Sequence, residues 1–295
     1  MGTIGIAKTD VGLRKARNQD AYGIRIACNG PGEAAFAVVC DGVGGLADGE
    51  VASSTVVHAL LRWFDGALPE LFTCRLTPER LYRDWNGVLR EVNRRIYRCA
   101  GNKGEGRMGT TVAAILLLNG DYYALSVGDT RIYRLDGRTL AQLSRDHTLV
   151  QREVELGRLS PEQASRDPRR GVLVRCVGGE TAVTPDYYTG RVTPGSSYLL
   201  CTDGFYRSLT EGELRRALAP KAVGSASEGE RALLRLMSAA KERGERDNLT
   251  AVVLCVDEAV GESEETIDLE NTFTILRAEQ SCGEHLALEQ GDSRV

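Results

Sequence analysis

Apolar residues in this chain fall into short runs bounded by turn residues, with only a few stretches of helical spacing between them. Residues 35–40 are apolar throughout and of strand length, and 112–118 and 249–256 are nearly so, the pattern of buried strands. Further strands are predicted at 3–7, 22–28, 122–127, 132–135, 186–188 and 197–201. Val51, Thr55, Val56, Ala59, Leu60 and Trp63 recur at helical spacing and place one apolar face inward. A second helix starts at Thr77-Pro78, an N-cap followed by proline at the first position. It runs to about Cys99, with Leu81, Trp85, Val88, Leu89, Val92 and Ile96 inward. Helices are also predicted over 149–156, just after Thr210, and over 227–241. Asn119-Gly120 is a two-residue hairpin signal, and Asp136-Gly137 marks another turn.

Composition narrows this picture only a little. A chain of 295 residues with 42% hydrophobic and 26% charged residues is that of an ordinary globular protein. Its 33 glycines favour a turn-rich fold containing β-structure. The first nine residues lack the apolar core of a signal peptide, and no run of about 18 apolar residues occurs. The expected compartment is therefore the cytoplasm, with no membrane partner. Eight cysteines are scattered without a Cys-x-x-Cys pair, and Cys40, Cys201 and Cys255 lie in apolar runs, as reduced, buried residues do. Three histidines, none beside a cysteine pair, argue against zinc.

Charge is distributed unevenly. Residues 257–295 carry eleven acids and two arginines, which leaves the remainder at +5 although the whole chain stands at −4. A mildly basic body suits anionic substrates but is too weak a bias for nucleic acid. The tail is aperiodic and expected to lack structure. Two domains of organisation follow: residues 1–256 as the folded unit, with a polar, basic flap at about 157–171, and 257–295 as the acidic tail.

Chemistry enters at the strand ends. The run 35–40 delivers Asp41 into Gly42-Val43-Gly44-Gly45, and the run ending at Cys201 delivers Asp203 into Gly204 in the same way. A Rossmann turn does not fit, because the acid precedes the glycines and no Gly-x-Gly-x-x-Gly is present. Asp20, Asp129 and Asp247 also sit at strand boundaries. Five carboxylates brought to one pocket would repel one another unless a polyvalent cation bound them. All-oxygen ligands select hard ions, manganese or magnesium, and two such ions imply hydrolysis of a phosphate ester by a metal-activated water.

The order Asn18-Gln19-Asp20-Ala21, Asp41-Gly42-Val43-Gly44-Gly45, Gly109-Thr110-Thr111, Gly128-Asp129-Thr130-Arg131, Asp146-His147-Thr148, Thr202-Asp203-Gly204 and Asp247-Asn248-Leu249-Thr250 resembles the bacterial protein phosphatase 2C-like (PPM) family over about residues 3–256. The resemblance implies an α+β fold: a four-layer αββα sandwich, two antiparallel sheets flanked by helix pairs. It implies a metal-dependent serine/threonine protein phosphatase with two manganese or magnesium ions and a third, weaker one. Asp41 would bridge the two ions, with the Gly42 carbonyl on one, and Asp203 with Asp247 would hold the other. Asp20 would act mainly through bound water, Asp129 with Asp203 would carry the third ion, and Ser160 of the flap would approach it. Thr110 and Thr111 would support the site from a strand start. The implied partners are phosphorylated proteins and an opposing serine/threonine kinase, the chain itself acting as a monomer.

Three positions depart from the family pattern. Lys15 stands where an arginine commonly grips the phosphate, and Arg14 or Arg17 are the alternatives for that task. Gln19 replaces a common glutamate, and Val43 stands where animal members carry histidine, so no imidazole acid is supplied there. These departures keep open a phosphatase-like regulator of weak activity. A rival chemistry is written in Cys201-x5-Arg207-Ser208, the loop of cysteine-dependent phosphatases, although Asp203 inside it would repel both thiolate and phosphate. Flap arginines Arg158, Arg166, Arg169 and Arg170 are candidates for reading acidic substrates, and His58 and His147 for packing. Tail threonines Thr266, Thr272 and Thr274, set near acids, are candidate phosphosites for a phosphothreonine reader.

Overall fold

The computed structural model describes residues 2–30, 32–43, 48–73, 76–102, 108–137, 139–257 and 274–280, with backbone alone at 100–102 and 274–280. In chain order the strands and helices are β1 (Thr3–Asp10), β2 (Asp20–Asn29), β3 (Gly32–Asp41), α1 (Gly49–Thr73), α2 (Pro78–Asn102), β4 (Val112–Leu118), β5 (Asp121–Val127), β6 (Arg131–Asp136), β7 (Thr139–Gln142), α3 (Leu149–Glu155), α4 (Pro161–Arg166), β8 (Asp186–Arg191), β9 (Ser196–Cys201), α5 (Asp203–Tyr206), α6 (Glu211–Ala217), α7 (Ala226–Glu242), β10 (Leu249–Val256) and β11 (Thr274–Gln280).

Alternation along β3 sets the layers. Phe36, Val38 and Cys40 pack with Val56, Leu60 and Phe64 of α1 and with Leu81, Trp85 and Leu89 of α2. Ala35, Ala37 and Val39 face the other way and meet Tyr198, Leu200, Val252 and Leu254 of a second sheet. Both faces are covered, which is why 35–40 reads as continuously apolar. The far face of the second sheet presents Leu199, Cys201 and Val253 to Leu214 of α6 and to Leu233 and Met237 of α7. The result is an αββα sandwich. One sheet runs β1-β10-β9-β6-β7 and the other β11-β2-β3-β4-β5-β8, each pairing antiparallel.

Local signals hold where side chains and backbone agree. Asn119 and Gly120 both take positive φ, 51° and 77°, as the β4–β5 hairpin turn requires. Thr210 caps α6 in a reciprocal capping box with Glu213. α1 continues beyond Trp63 to Thr73 through Pro69, and Leu68 and Leu71 are buried on those last turns.

The tail differs from expectation at one place. Thr274–Gln280 runs antiparallel along β2, Thr274 opposite Cys28 and Gln280 opposite Tyr22. An outer strand offers a row of main-chain donors and acceptors, which a segment can join whatever its composition. The rest of the tail, with Thr266 and Thr272, lies outside the described residues, as do Gly44 and Gly45. Among the described residues no helix is long and apolar enough to cross a membrane.

Candidate active site

Antiparallel topology gathers the aspartates. β2 starts at Asp20 where β3 ends at Asp41, and the register sets these two opposite each other. Thr111, just before β4, donates its amide to the Asp41 carbonyl at 2.8 Å, and its hydroxyl accepts the Asp41 amide at 2.9 Å. Thr110 Oγ1 donates to the same carbonyl at 2.8 Å. β5 ends at Val127, paired with Val112, and Gly128 then turns the chain with φ 99° to present Asp129. Cys201, the last residue of β9, lies beside Ala251 of β10 and Arg131 of β6. Asp203 therefore leaves, and Asp247 arrives, at the same end of the sandwich. Asp41, Asp129, Asp203 and Asp247 line one cleft of about 210 Å³ together with Val43, Thr111, Gly171, Leu173 and Arg207. Asp20 lies buried against it, its Oδ2 accepting from Thr202 Oγ1 at 3.0 Å.

The electrostatics of this cleft are adverse for carboxylates. Burial is the largest influence on each; neighbouring acids come next at Asp41 and Asp129, whereas the Thr250 and Thr202 hydroxyls at Asp20 and the Arg207 charge at Asp203 come second and oppose the rise. Asp20 is pushed up to about 7, mainly by burial. Burial and the charges of Asp20, Asp203, Asp129 and Asp247 hold Asp41 far above the usual carboxylate range. Asp129 and Asp203 are likewise raised by burial, and Arg207 offsets part of that rise in both. Asp20 Oδ1 and Asp203 Oδ1 are buried without a hydrogen-bond partner in the protein. Among the described residues no three His, Cys, Asp or Glu side chains stand close enough to hold an ion between them, yet four aspartates line this one cleft and repel one another. Such a donor set fits hard divalent cations.

Backbone construction fixes this rim tightly. The Gly42 amide donates to the Gln19 carbonyl at 3.1 Å and the Val43 amide to the Gly109 carbonyl at 3.0 Å. Lys15 Nζ pairs with Asp247 Oδ1 at 2.8 Å, and the charges of Asp247, Asp41 and Asp203 raise it despite desolvation. Of the alternatives to Lys15, Arg17 is drawn to Glu50 at 2.9 Å and Arg14 is exposed; none of the three lines the cleft, and Lys15 reaches it through its pairing with Asp247. Gln19 Nε2 also reaches Glu50, at 3.4 Å.

Other candidates are placed elsewhere. Ser160 caps α4: its hydroxyl accepts the Gln163 amide and donates to Glu162. It does not line the carboxylate cleft. Arg158 pairs with Glu153 and Arg169 with Asp167, whereas Arg166 and Arg170 line a neighbouring groove with Arg207, Arg243 and Arg246. His147 Nδ1 accepts the Gly128 amide at 3.1 Å and its Nε2 lies 3.1 Å from Asp186, so it braces the Asp129 turn. His58 Nδ1 lies 2.7 Å from the Ser54 carbonyl within α1. The cysteine rival fails on geometry. Cys201 is fully buried in β9 with its thiol pushed up by burial, and Arg207 is bound to Asp203.

Sequence reasoning missed several functional neighbours. Asn248 is buried; its amide group donates to the Val11 and Arg17 carbonyls and its Oδ1 accepts the Gln19 amide, so it fixes the loop that carries Lys15. Its place directly after Asp247 was the available signal. Thr202 likewise precedes Asp203, and Arg207 follows it by one helical turn.

A profile described as Protein phosphatase 2C matches residues 13–254. The serine/threonine phosphatase stp of Listeria monocytogenes is 31% identical over 248 residues, covering 84% of this chain and 93% of that protein. The crystal structure of serine/threonine phosphatase Stp1 from Staphylococcus aureus superposes with a TM-score of 0.73 at 27% identity, covering 87% of this chain and 96% of the other. The catalytic domain of the serine/threonine protein phosphatase PstP in complex with two manganese ions gives a TM-score of 0.68 at 30% identity, covering 86% and 99%. Sandwich, gathered aspartates and matches over most of the length agree: the chain belongs to the protein phosphatase 2C family, the metal-dependent serine/threonine phosphatases.

Proposed function

We propose that the carboxylate cleft is a binuclear manganese or magnesium centre at which this chain hydrolyses phosphoserine and phosphothreonine on proteins. The observation that carries the reading is the pair of buried, partnerless oxygens, Asp20 Oδ1 and Asp203 Oδ1, among acids that already repel one another. Buried carboxylates left in this condition cost several kcal/mol each, and a hard cation relieves them. Asp41 and the Gly42 carbonyl would hold one ion, Asp203 and Asp247 the other, with Asp41 reaching both and Asp20 acting from behind. When bound, such ions supply an acidified water and the positive charge that a phosphoryl group in transfer needs.

The remaining tasks fall to the chain. Lys15, partly buried and tied to Asp247 of the cleft lining, offers Nζ to a phosphoryl oxygen as a point charge. Val43 brings no proton donor, and His147 is turned to Gly128 and Asp186, so the leaving oxygen takes its proton from water. The third ion implied by the resemblance would need Asp129 and Asp203, yet Ser160 is committed to its cap and Arg207 already holds Asp203 Oδ2. The proteins acted on include those phosphorylated by an opposing serine/threonine kinase.

The test is release of phosphate from a phosphothreonine peptide. With manganese the chain turns over, and EDTA abolishes turnover while thiol alkylation does not. Asp203→Ala and Asp41→Asn each lower kcat/KM by at least about a hundredfold, beyond the ten- to hundredfold of outer-shell losses. Turnover that survives EDTA and falls on alkylation would return the reading to cysteine chemistry; no turnover with any divalent ion would leave a regulator.

A further inference from the structure

Arg207 was singled out in the sequence only as the arginine of a cysteine-phosphatase loop, a role that the burial of Cys201 removes. Its actual position is one helical turn after Asp203. The Arg207 amide donates to the Asp203 carbonyl at 2.9 Å, and its Nη2 binds Asp203 Oδ2. Acid and base four apart on a helix, acid first, meet naturally, so the backbone itself delivers the guanidinium to this carboxylate. The pairing divides Asp203: Oδ2 belongs to Arg207, and Oδ1 is the buried oxygen without a partner.

Three further observations place this charge inside the centre rather than on its rim. Arg207 lines the same cleft as Asp41, Asp129, Asp203 and Asp247, and its side chain is only 23% exposed. Asp129 stands on the same lining, and the Tyr206 hydroxyl, next to Arg207 in the chain, donates to the Asp129 carbonyl at 3.1 Å. Gly171, where the flap returns to the body, closes over it: a Cβ there would lie 3.6 Å from Arg207 Nη2.

Building on the binuclear reading of the cleft, we propose that Arg207 is the resident third cation of this centre, taking the place at Asp129 and Asp203 that a third divalent ion would otherwise fill. A further dication beside Arg207 would face like charge at short range. Ser160, the other residue expected at a third ion, spends its hydroxyl on the α4 cap. Arg207 thus acts as a positioning residue: it holds Asp203 so that Oδ1 is left for the binuclear side.

The experiment counts bound ions. The 295-residue chain is equilibrated by dialysis against saturating manganese, and bound metal per chain is measured by mass spectrometry. Wild type is expected to bind two. Arg207→Ala, checked for fold by circular dichroism, is expected to gain a third, weaker ion, and Arg207→Lys, which keeps the charge, to remain at two. Three ions on wild type would overturn the inference without reference to any variant. So would a folded Arg207→Ala that stays at two, and either result leaves the phosphatase reading intact. Binding of no manganese at all by wild type would instead sink the binuclear centre itself, and this inference with it.

Discussion

A Cβ on Gly42 would lie 2.5 Å from the Gly49 carbonyl oxygen and 2.7 Å from that of Gln19. Both obstacles are backbone, at the start of α1 and just before β2, so neither can swing aside as a flexible side chain would. Gly42 is required for close approach, not for an unusual φ. Gly42→Ala should cost about 1–3 kcal/mol or more, as overpacking does. Thermal melting should show this as a drop of roughly 2–4 °C per kcal/mol, and an unchanged midpoint would mean that the turn relaxes freely. Lys15 poses the opposite case, a residue whose loss should barely touch stability. Its charge is half-exposed and already shared with Asp247. A hydrogen bond to a charged group is worth about 1.5–3 kcal/mol, so Lys15→Ala should lower kcat/KM roughly ten- to hundredfold, with Lys15→Arg recovering much of it. Steady-state kinetics on a phosphopeptide decides this, and full activity in Lys15→Ala would remove Lys15 from phosphate binding.

Elements were legible where one local cause suffices. The Asn119-Gly120 turn, the Thr77-Pro78 start of α2 and the Thr210 cap of α6 each announce a boundary through backbone preference. β7 and β11 escaped because nothing local marks them. β7 is four half-exposed residues paired along β6, and β11 lies in an acidic tail and exists through its pairing with β2. α5 was hidden for another reason: four residues after an aspartate-glycine read as a turn, and it is what aims Arg207 at Asp203. The pairing of β11 predicts its role. Truncation after Asp257 bares the outer edge of β2 but leaves all five aspartates in place. The truncated chain should therefore keep its phosphatase activity, melt a few degrees lower and self-associate as concentration rises, as bared edges do. Melting together with light scattering reads both effects; a midpoint and particle size equal to full length would mean that β11 adds nothing to the fold.

At the scale of the whole molecule, the sandwich brings together acids that are up to 227 positions apart in sequence, from Asp20 to Asp247. Motif order told which aspartates matter, but only antiparallel register told that Asp20 faces Asp41 and that β9 ends where β10 begins. Gathering them has a consequence for stability. Asp20, Asp41, Asp129 and Asp203 all have folded-state pKa values above the unfolded carboxylate value, Asp20 at about 7. Such groups make the folded chain bind more protons than the unfolded one, so their contribution is complete below about pH 4 and lost as pH rises. His147 has the opposite sign, since burial lowers its pKa and its contribution falls as pH drops through about 6.5. One imidazole stands against four carboxylates, so the acids decide the slope. Acids with lowered values, such as Asp10, Glu50 and Asp186, lose their contribution only below about pH 4.5 and do not act in this window. In EDTA, then, the melting temperature should fall between pH 5 and pH 8. Manganese binds the ionised carboxylates of the folded state and stabilises by mass action, so it should raise the midpoint most at pH 8 and flatten or invert the slope. A protein that melts at the same temperature at both pH values, with and without manganese, would show that these carboxylates neither repel one another nor share an ion.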